Sequence, residues 1–205
     1  DPTTGAVLAS ASYPNYDPAR FWEFPSSYRK NPTVAETYEP GSTFKVLVMS
    51  AALDAGVVTP DTTCDICDGP IRIGKYLIRT WNEQYRPGVS MTDTIVHSDN
   101  TGMVFVSRKL GEDRMVEYLT RFGIGEVTGI DLQEETSPAL REQWGEIDLA
   151  TASFGQGIAV TSVQMLRAVG AVANGGVLMT PQIVAHMSGD REIEIKPKPV
   201  RRVIS

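Results

Sequence analysis

The stretch Tyr38–Lys45, YEPGSTFK, runs directly into the apolar sequence VLVMSAAL, and together these residues decide the fold prediction. A proline and a glycine, which commonly precede a helix, stand before Ser42, and serine is a favoured N-cap residue. From Ser42 to Ala55 the residues are good helix formers with apolar side chains on nearly every face, and Gly56 follows as a stop. A helix that is apolar on all sides is a buried one. The stretch therefore predicts a buried helix whose first turn carries a serine and a lysine.

Ser42 and Lys45 have the spacing of a nucleophile and its base. A serine hydroxyl must pass its proton to a nearby base as it attacks, and positions i and i+3 of a helix share a face. Burial on an apolar helix lowers the pKa of a lysine, so that its amine can act as that base. The Ser42 N–H, at the helix N-terminus, is a candidate oxyanion donor. The alternative is a plain helix cap with an incidental lysine, because Ser-x-x-Lys is common by chance.

A second polar element, SDN at Ser98–Asn100, lies between two predicted helices. A loop in such a place projects polar groups into a cleft. There the Ser98 hydroxyl is a candidate proton relay between Lys45 and a leaving amine. The Asn100 amide can both donate to and accept from a substrate amide. The alternative is that Asp99 or Asn100 only caps the helix that follows.

The remaining patterns predict one helix-rich α+β domain over residues 1–205, with strands at both ends of the sequence. Strands are expected as a pair in the N-terminal TGAVLASASYP, at Ile71–Ile78 within a turn-rich stretch, and in PQIVAHMS, before a proline-broken extended tail. Helices are predicted at Met91–His97, Thr101–Leu110, Asp113–Arg121 and Thr161–Ala173. Trp81, Tyr85 and Phe154 are expected to pack in the core.

Composition argues against several classes of function. The formal net charge is -6 and no block of Lys or Arg occurs, which argues against a nucleic-acid partner. No apolar run approaches the ~20 residues needed to cross a bilayer. The two cysteines, Cys64 and Cys67, are half of a zinc site with no histidine nearby, so a loop disulfide or free thiols are favoured over a metal. Because the chain opens without Met or a signal peptide, we expect it to belong to a longer protein.

Taken together, these motifs resemble the transpeptidase domain of class B penicillin-binding proteins, the monofunctional D,D-transpeptidases of bacterial cell-wall synthesis. S-x-x-K and S-D-N are two of the three motifs shared by penicillin-binding proteins and class A β-lactamases. DPTTGAVLASASYPNYDP resembles the family's opening strand pair, and RFGIGEVTGIDL and SFGQGIAVTSVQMLRAVGAVANGGVLMTPQIV resemble its later segments. The resemblance covers nearly the whole chain.

The resemblance implies an α+β fold of the penicillin-binding protein and β-lactamase type, a helical cluster packed on an antiparallel sheet of which this chain holds only part. It implies that Ser42 attacks the D-alanyl-D-alanine carbonyl of a peptidoglycan stem peptide. Lys45 and Ser98 would transfer protons, and Asn100 would orient the acyl chain. Substrate binding would also involve the turn formed by Gly155, Gln156 and Gly157.

The family also implies partners and a location. β-Lactams, which imitate D-alanyl-D-alanine, would acylate the serine, and no metal or organic cofactor is needed. A membrane-embedded glycosyltransferase is among the family's partners. The domain would work at the outer face of the bacterial cytoplasmic membrane, in elongation, division or sporulation.

Two departures from the family pattern stand out. Asp99 occupies a position where the family more often has a small residue, and an exposed acid there would alter the local charge. No Lys-Thr-Gly motif occurs up to Ser205. In the family that motif lies on a later strand of a five-stranded sheet, so this chain would contain only the first two strands. We expect the C-terminal part to be present in the working protein, as a separate chain or a further segment.

Two other functions remain open for this sequence. A β-lactamase or β-lactam-sensing domain of the same fold would need a base for deacylation. Carboxylates for that role are available in a stretch that otherwise reads as a charged surface loop, at Glu134, Glu135 and Glu142. A truncated, non-catalytic interaction module is the third possibility, supported only by the missing Lys-Thr-Gly.

Overall fold

The computed structural model describes residues 1–189 and 192–205. Their α-helices are α1 (Pro32–Ala35), α2 (Lys45–Asp54), α3 (Met91–Val96), α4 (Asn100–Leu110), α5 (Glu112–Arg121), α6 (Glu146–Ala152) and α7 (Ser162–Ala173). Their strands are β1 (Thr37–Tyr38), β2 (Ile71–Ile73), β3 (Tyr76–Ile78), β4 (Val160–Thr161), β5 (Val177–Met179), β6 (His186–Met187), β7 (Ile193–Glu194) and β8 (Pro199–Arg202). Among the described helices, none has the length and apolar character needed to span a membrane.

The strands form antiparallel pairs rather than one continuous sheet. β1 pairs with β4, β2 with β3, β5 with β8 and β6 with β7. Within the described residues no sheet exceeds two strands. The α+β prediction, with only part of a sheet in this chain, is confirmed.

Helix α2 lies at the centre of the fold, as the all-round apolar pattern predicts. It packs against α4, α5 and α7. Leu47, Val48, Ala51 and Ala52 are at most 2% exposed. Burying a large aliphatic side chain stabilises a fold by about 1.5 to 3 kcal/mol, so α2 anchors the core to which its first turn is fixed. Gly56 ends the helix with φ +65°, a left-handed conformation that suits glycine.

Two strand predictions are wrong in detail. The N-terminal segment forms a single bridge, between Ala6 and Gln182, instead of a strand pair. Beyond that bridge Leu8 and Tyr13 are 82% and 96% exposed, and a strand without a pairing partner has no ladder to hold it. The segment Ile71–Ile78 is a hairpin, β2 and β3, because Gly74 turns the chain at φ +55° in its middle.

Helix α6 was not predicted from the sequence. It has only seven residues, too few for a clear helical periodicity. Its start is fixed by Asp148, whose carboxylate accepts the backbone N–H of Gly145 at 2.9 Å. The helices predicted at Met91–His97, Thr101–Leu110, Asp113–Arg121 and Thr161–Ala173 are confirmed, with ends shifted by at most one residue. The helix predicted from Ser42 begins three residues later, at Lys45.

Cys64 and Cys67 form a disulfide, and both side chains are buried. The bridged segment is joined to the residues that precede α3. The N–H of Cys64 donates to the Val89 carbonyl at 2.9 Å, and Thr63 forms a bridge with Ser90, the N-cap of α3. In the described part of the chain, no three His, Cys, Asp or Glu side chains are grouped as a metal site would require. The disulfide therefore braces the loop that leads through α3 to the SDN segment.

Candidate active site

Ser42 lies in a 3-10 turn, Gly41–Phe44, that leads into α2. It is therefore not the N-cap of an α-helix, because α2 begins only at Lys45. In a 3-10 turn the side chains at i and i+3 eclipse one another, which places Ser42 and Lys45 on one line along the helix. Ser42 is exposed, and neither its hydroxyl nor its backbone N–H has a hydrogen-bond partner within the described residues.

Lys45 is buried in spite of its charge, with 2% of its surface exposed. Its Nζ donates to the Ser98 carbonyl at 2.7 Å, to Ser98 Oγ at 3.0 Å and to Asn100 Oδ1 at 2.8 Å. Burial lowers the pKa of Lys45 from 10.5 to about 8, against an opposing effect of the Asp99 charge. All three ammonium donors are thus in use, and the described structure shows no hydrogen bond between Lys45 and the Ser42 hydroxyl.

The SDN segment is a tight turn between α3 and α4. Ser98 has φ +54°, a left-handed conformation that non-glycine residues rarely adopt. Asp99 is the N-cap of α4, as the alternative interpretation proposed, and it accepts the N–H groups of Thr101 and Gly102 at 2.8 and 3.2 Å. The expectation of an exposed acid is wrong, because Asp99 is 1% exposed. The same turn therefore caps α4 and brings Ser98 into contact with Lys45.

The Asn100 amide is held from both ends. Its Oδ1 accepts from Lys45, and its Nδ2 donates to the Arg79 carbonyl at 2.9 Å. One N–H of the amide has no partner in the described residues, so it is the part of Asn100 that can meet a substrate.

The aromatic residue closest along the chain to Arg79 is Trp81, and its predicted core packing is wrong. Trp81 is 76% exposed, and its indole N–H donates to the His97 carbonyl at 3.4 Å. Phe154 is buried, as predicted. Trp81 therefore covers the backbone that immediately precedes Ser98 and presents its ring to solvent there.

The turn containing Gly155, Gln156 and Gly157 supports the segment that carries Ser42. The Gly41 N–H donates to the Gly155 carbonyl at 3.0 Å, and the Gly157 N–H donates to Glu39 Oε1 at 2.9 Å. Gly155 is buried and Gln156 exposed. Sequence reasoning missed Glu39, although it lies inside the YEPGSTFK motif and could have been identified as a polar residue that fixes the serine turn.

Comparison with known proteins identifies the family. The family model described as the penicillin binding protein transpeptidase domain matches residues 1–205. The chain belongs to the penicillin-binding protein transpeptidase family. Stage V sporulation protein D of Bacillus subtilis is 37% identical over 186 residues, which are 89% of this chain and 29% of that protein. Peptidoglycan D,D-transpeptidase FtsI of Escherichia coli is 31% identical over 86% of this chain and 30% of its own length. The chain thus spans about a third of the length of these curated relatives.

Solved structures of penicillin-binding proteins share this fold. Penicillin binding protein 3 of Mycobacterium tuberculosis, complexed with aztreonam, superposes with a TM-score of 0.78 at 29% identity, over 85% of this chain and 40% of that one. A peptidoglycan glycosyltransferase from Burkholderia ambifaria superposes with a TM-score of 0.80 at 26% identity, over 100% of this chain and 59% of that one. The resemblance stated from the sequence motifs is confirmed at the level of family and fold.

The carboxylates considered for a β-lactamase make no hydrogen bond to the candidate site in the described residues. Glu135 accepts the backbone N–H groups of Thr128 and Gly129 at 2.6 and 3.1 Å. Glu134 and Glu142 are exposed. None of the three is hydrogen-bonded to Ser42, Lys45, Ser98 or Asn100 in the described residues.

We expect Gly155→Ala to displace the Ser42 turn. Gly155 has φ +77°, and a Cβ there would lie 2.1 Å from the Gly41 carbonyl oxygen. The backbone must shift, and we expect a loss of about 2 kcal/mol or more in the free energy of unfolding, measured by urea denaturation. Gly88→Ala is the matched control, because Gly88 also has positive φ, +68°, but nothing within 4 Å of a new Cβ. Equal losses in the two variants would show that the contact with Gly41 is unimportant.

Proposed function

We propose that this chain is the serine-bearing part of a peptidoglycan D,D-transpeptidase that cross-links stem peptides through an acyl-enzyme. The observation that carries the proposal is the buried amine of Lys45, which lies one 3-10 turn from Ser42 and is bonded to the Ser98 hydroxyl at 3.0 Å. A buried lysine with a lowered pKa is costly for stability and has the property that a general base needs. The names of the relatives, peptidoglycan D,D-transpeptidases among them, support the same reaction.

In the acylation step, Ser42 Oγ attacks the carbonyl carbon of the D-alanyl-D-alanine bond. The neutral amine of Lys45 takes the hydroxyl proton as the new C–O bond forms, and the carbonyl electron pair moves onto oxygen. The unpartnered N–H of Ser42 is one donor for that oxyanion. The C–N bond then breaks, and the departing D-alanine nitrogen takes a proton from the Ser98 hydroxyl. Ser98 in turn takes a proton from the Lys45 ammonium.

In the transfer step, an amine from a neighbouring stem peptide attacks the ester carbonyl on Ser42. Lys45, again neutral, takes a proton from the attacking nitrogen. The C–O bond to Ser42 breaks, and the serine oxygen regains a proton from Lys45. The result is a new amide cross-link and a free enzyme, with no net proton taken up by the protein.

The resting hydrogen bonds of Lys45 support this order of events. The three acceptors around Nζ suit the ammonium form. Loss of one proton frees a lone pair on the amine, to which the Ser42 or the Ser98 hydroxyl can donate. Asn100 holds Nζ during the exchange and offers its remaining N–H to the acyl chain, while Gly155–Gly157 keep the serine turn in place.

We propose that a Lys-Thr-Gly strand supplied by the rest of the protein, as a further segment or a separate chain, adds the second oxyanion donor and holds the substrate carboxylate. We also propose that the protein works at the outer face of the bacterial cytoplasmic membrane, beside a membrane-embedded glycosyltransferase. β-Lactams should acylate Ser42, as suggested by the aztreonam and ampicillin complexes of the Mycobacterium tuberculosis protein.

The proposal is tested by labelling the whole protein that contains this chain with a fluorescent penicillin, followed by proteolysis and peptide mapping. We expect one stable adduct, on the peptide that contains Ser42. An adduct on another residue, or none on a folded and complete protein, would exclude the serine acyl-enzyme. Rapid release of the hydrolysed drug would favour a β-lactamase instead.

The acylation rate should rise with pH through the titration of Lys45. The base is the neutral amine, which exists above the lysine pKa, and burial sets that pKa at about 8. We therefore expect the second-order acylation constant to increase roughly tenfold per pH unit below pH 7 and to level off above the pKa. Stopped-flow measurements with a chromogenic β-lactam between about pH 5.5 and 9.5 check this prediction. A rate constant that is flat across this range would exclude Lys45 as the base.

A further inference from the structure

Asp99 is a buried carboxylate that uses only one of its two oxygens. Oδ1 accepts the N–H groups of Thr101 and Gly102 and the Thr101 hydroxyl, the last at 2.6 Å. Oδ2 is buried and has no hydrogen-bond partner within the described residues. A buried carboxylate oxygen without a donor costs free energy. Capping alone does not explain an aspartate here, because serine or asparagine caps a helix equally well.

Asp99 directly follows the peptide group on which Lys45 is anchored. The Ser98 carbonyl that accepts from Lys45 at 2.7 Å is bonded to the nitrogen of Asp99. The left-handed conformation of Ser98 persists only if its neighbours fix it. On the α3 side, Asp99 N–H donates to the Thr94 carbonyl and Ser98 N–H to that of Ile95. On the α4 side, the Asp99 carboxylate itself supplies the restraint.

Asp99 is also the charged side chain whose field acts on the Lys45 amine. Several other charged groups on the surrounding helices are engaged elsewhere: Asp54 with Tyr118, Arg108 with Glu146, Glu117 with Arg121, and Arg167 with the Met179 carbonyl. The remaining ones on α4 and α5 belong to exposed residues: Lys109, Glu112, Asp113 and Arg114. In the adjoining segments, Glu39 accepts a hydrogen bond from Gly157, Arg79 pairs with Glu83, and Asp93 accepts a hydrogen bond from Ser90. His97 is exposed.

We propose that Asp99 is a positioning residue for the acyl transfer: its Oδ1 fixes the start of α4 and so the turn that carries Ser98, and its second oxygen leaves a buried negative charge one peptide bond from the Ser98 carbonyl that holds Lys45. The inference rests on the proposed function for its kinetic consequence. The charge favours the ammonium form of Lys45, which donates three hydrogen bonds. It therefore lowers the fraction of neutral amine at low pH. An uncharged residue that still caps the helix, such as serine or asparagine, would keep the turn and release the base at lower pH.

Asp99→Asn separates the two roles, because asparagine retains the capping oxygen and removes the charge. We expect the midpoint of the acylation–pH profile to move down by about one pH unit, with the acylation constant at pH 6 rising several-fold and its high-pH plateau unchanged. Asp99→Ser should shift the midpoint by the same amount, and it replaces the asparagine variant if that variant does not fold. The control is Asp93→Asn, which removes an exposed carboxylate from α3 and should leave the midpoint unchanged.

Asp99→Ala tests the positioning role. It lacks any capping acceptor, so the Ser98 turn loses its restraint on the α4 side. We expect the high-pH plateau of the acylation constant to fall about tenfold or more, while Asp99→Ser and Asp99→Asn retain it. An alanine variant that keeps the full plateau would overturn this role.

A second readout does not require acylation. The pKa of Lys45 can be followed by NMR through the ¹³Cε shift of the labelled lysine, in the parent and in the Asp99 variants without any β-lactam. We expect the pKa to fall when the charge is removed. If the parent protein is not acylated at all, the proposed function fails while this titration still decides the effect of Asp99. Folded Asp99→Asn and Asp99→Ser proteins that titrate Lys45 at the parental pH would overturn the charge effect.

Discussion

Ser42→Ala is expected to abolish covalent labelling by β-lactams and all transpeptidation. Removing the serine oxygen removes the atom that is proposed to carry the acyl group. We expect the acylation constant to fall by at least roughly 10⁴-fold, to the background of the reagent. Intact-mass spectrometry after incubation with a penicillin measures this directly, because the acyl adduct adds the full mass of the drug.

The fold should be unaffected by this change. Ser42 is exposed and its side chain has no hydrogen-bond partner in the described residues, so the free energy of unfolding should change by no more than about 0.5 kcal/mol. Ser50→Ala, in the middle of α2, is the matched control and should label like the parent. If the Ser42 variant still forms the adduct at the parental rate, Ser42 is not the nucleophile.

The sequence predicted the part of the fold that depends on local patterns. The buried helix α2, its end at Gly56 and the capping of α7 by Thr161 all follow from residue types at fixed spacings. The family could also be identified from the sequence, because YEPGSTFK and SDN occur in the correct order among longer segments that are similar to the family. These features are local in sequence, and the physical rules that produce them act over a few residues.

Contacts between distant segments were not predictable in the same way. The Ser42 turn is supported by hydrogen bonds from Gly41 to Gly155 and from Gly157 to Glu39, and each bond joins residues more than a hundred positions apart. The burial of Asp99 and the exposure of Trp81 depend on how the loop before α3 folds over the SDN turn. A single sequence contains no spacing that encodes such packing, so the polarity of a residue suggested the wrong environment in both cases.

Strand pairing was the other feature of the fold that the sequence did not predict correctly. The N-terminal segment has the composition of a strand pair, yet it forms one bridge, with Gln182. Strand formation depends on a partner edge more than on the strand's own residues. Helices satisfy their hydrogen bonds internally and were therefore predicted more accurately than strands.

Lys45→Met and Lys45→Arg should both lower the acylation constant by about 10²- to 10⁴-fold, the usual contribution of a general base. Methionine keeps an apolar stem of similar length in the buried site and removes the amine. Arginine keeps the positive charge but does not lose its proton at accessible pH, so it cannot accept one from Ser42. The pair of variants therefore separates a base from a cation that merely stabilises charge.

The decisive comparison is the pH dependence of the residual reaction. In the parent the rate rises towards the pKa of Lys45, about 8, whereas in both variants we expect a slow rate that no longer rises through that pH. Thermal unfolding of each variant establishes that the fold is intact, since arginine is larger than the buried lysine that it replaces. If folded Lys45→Arg retained most of the parental rate, the role of Lys45 would be electrostatic, and proton abstraction from Ser42 would have to be assigned to another group.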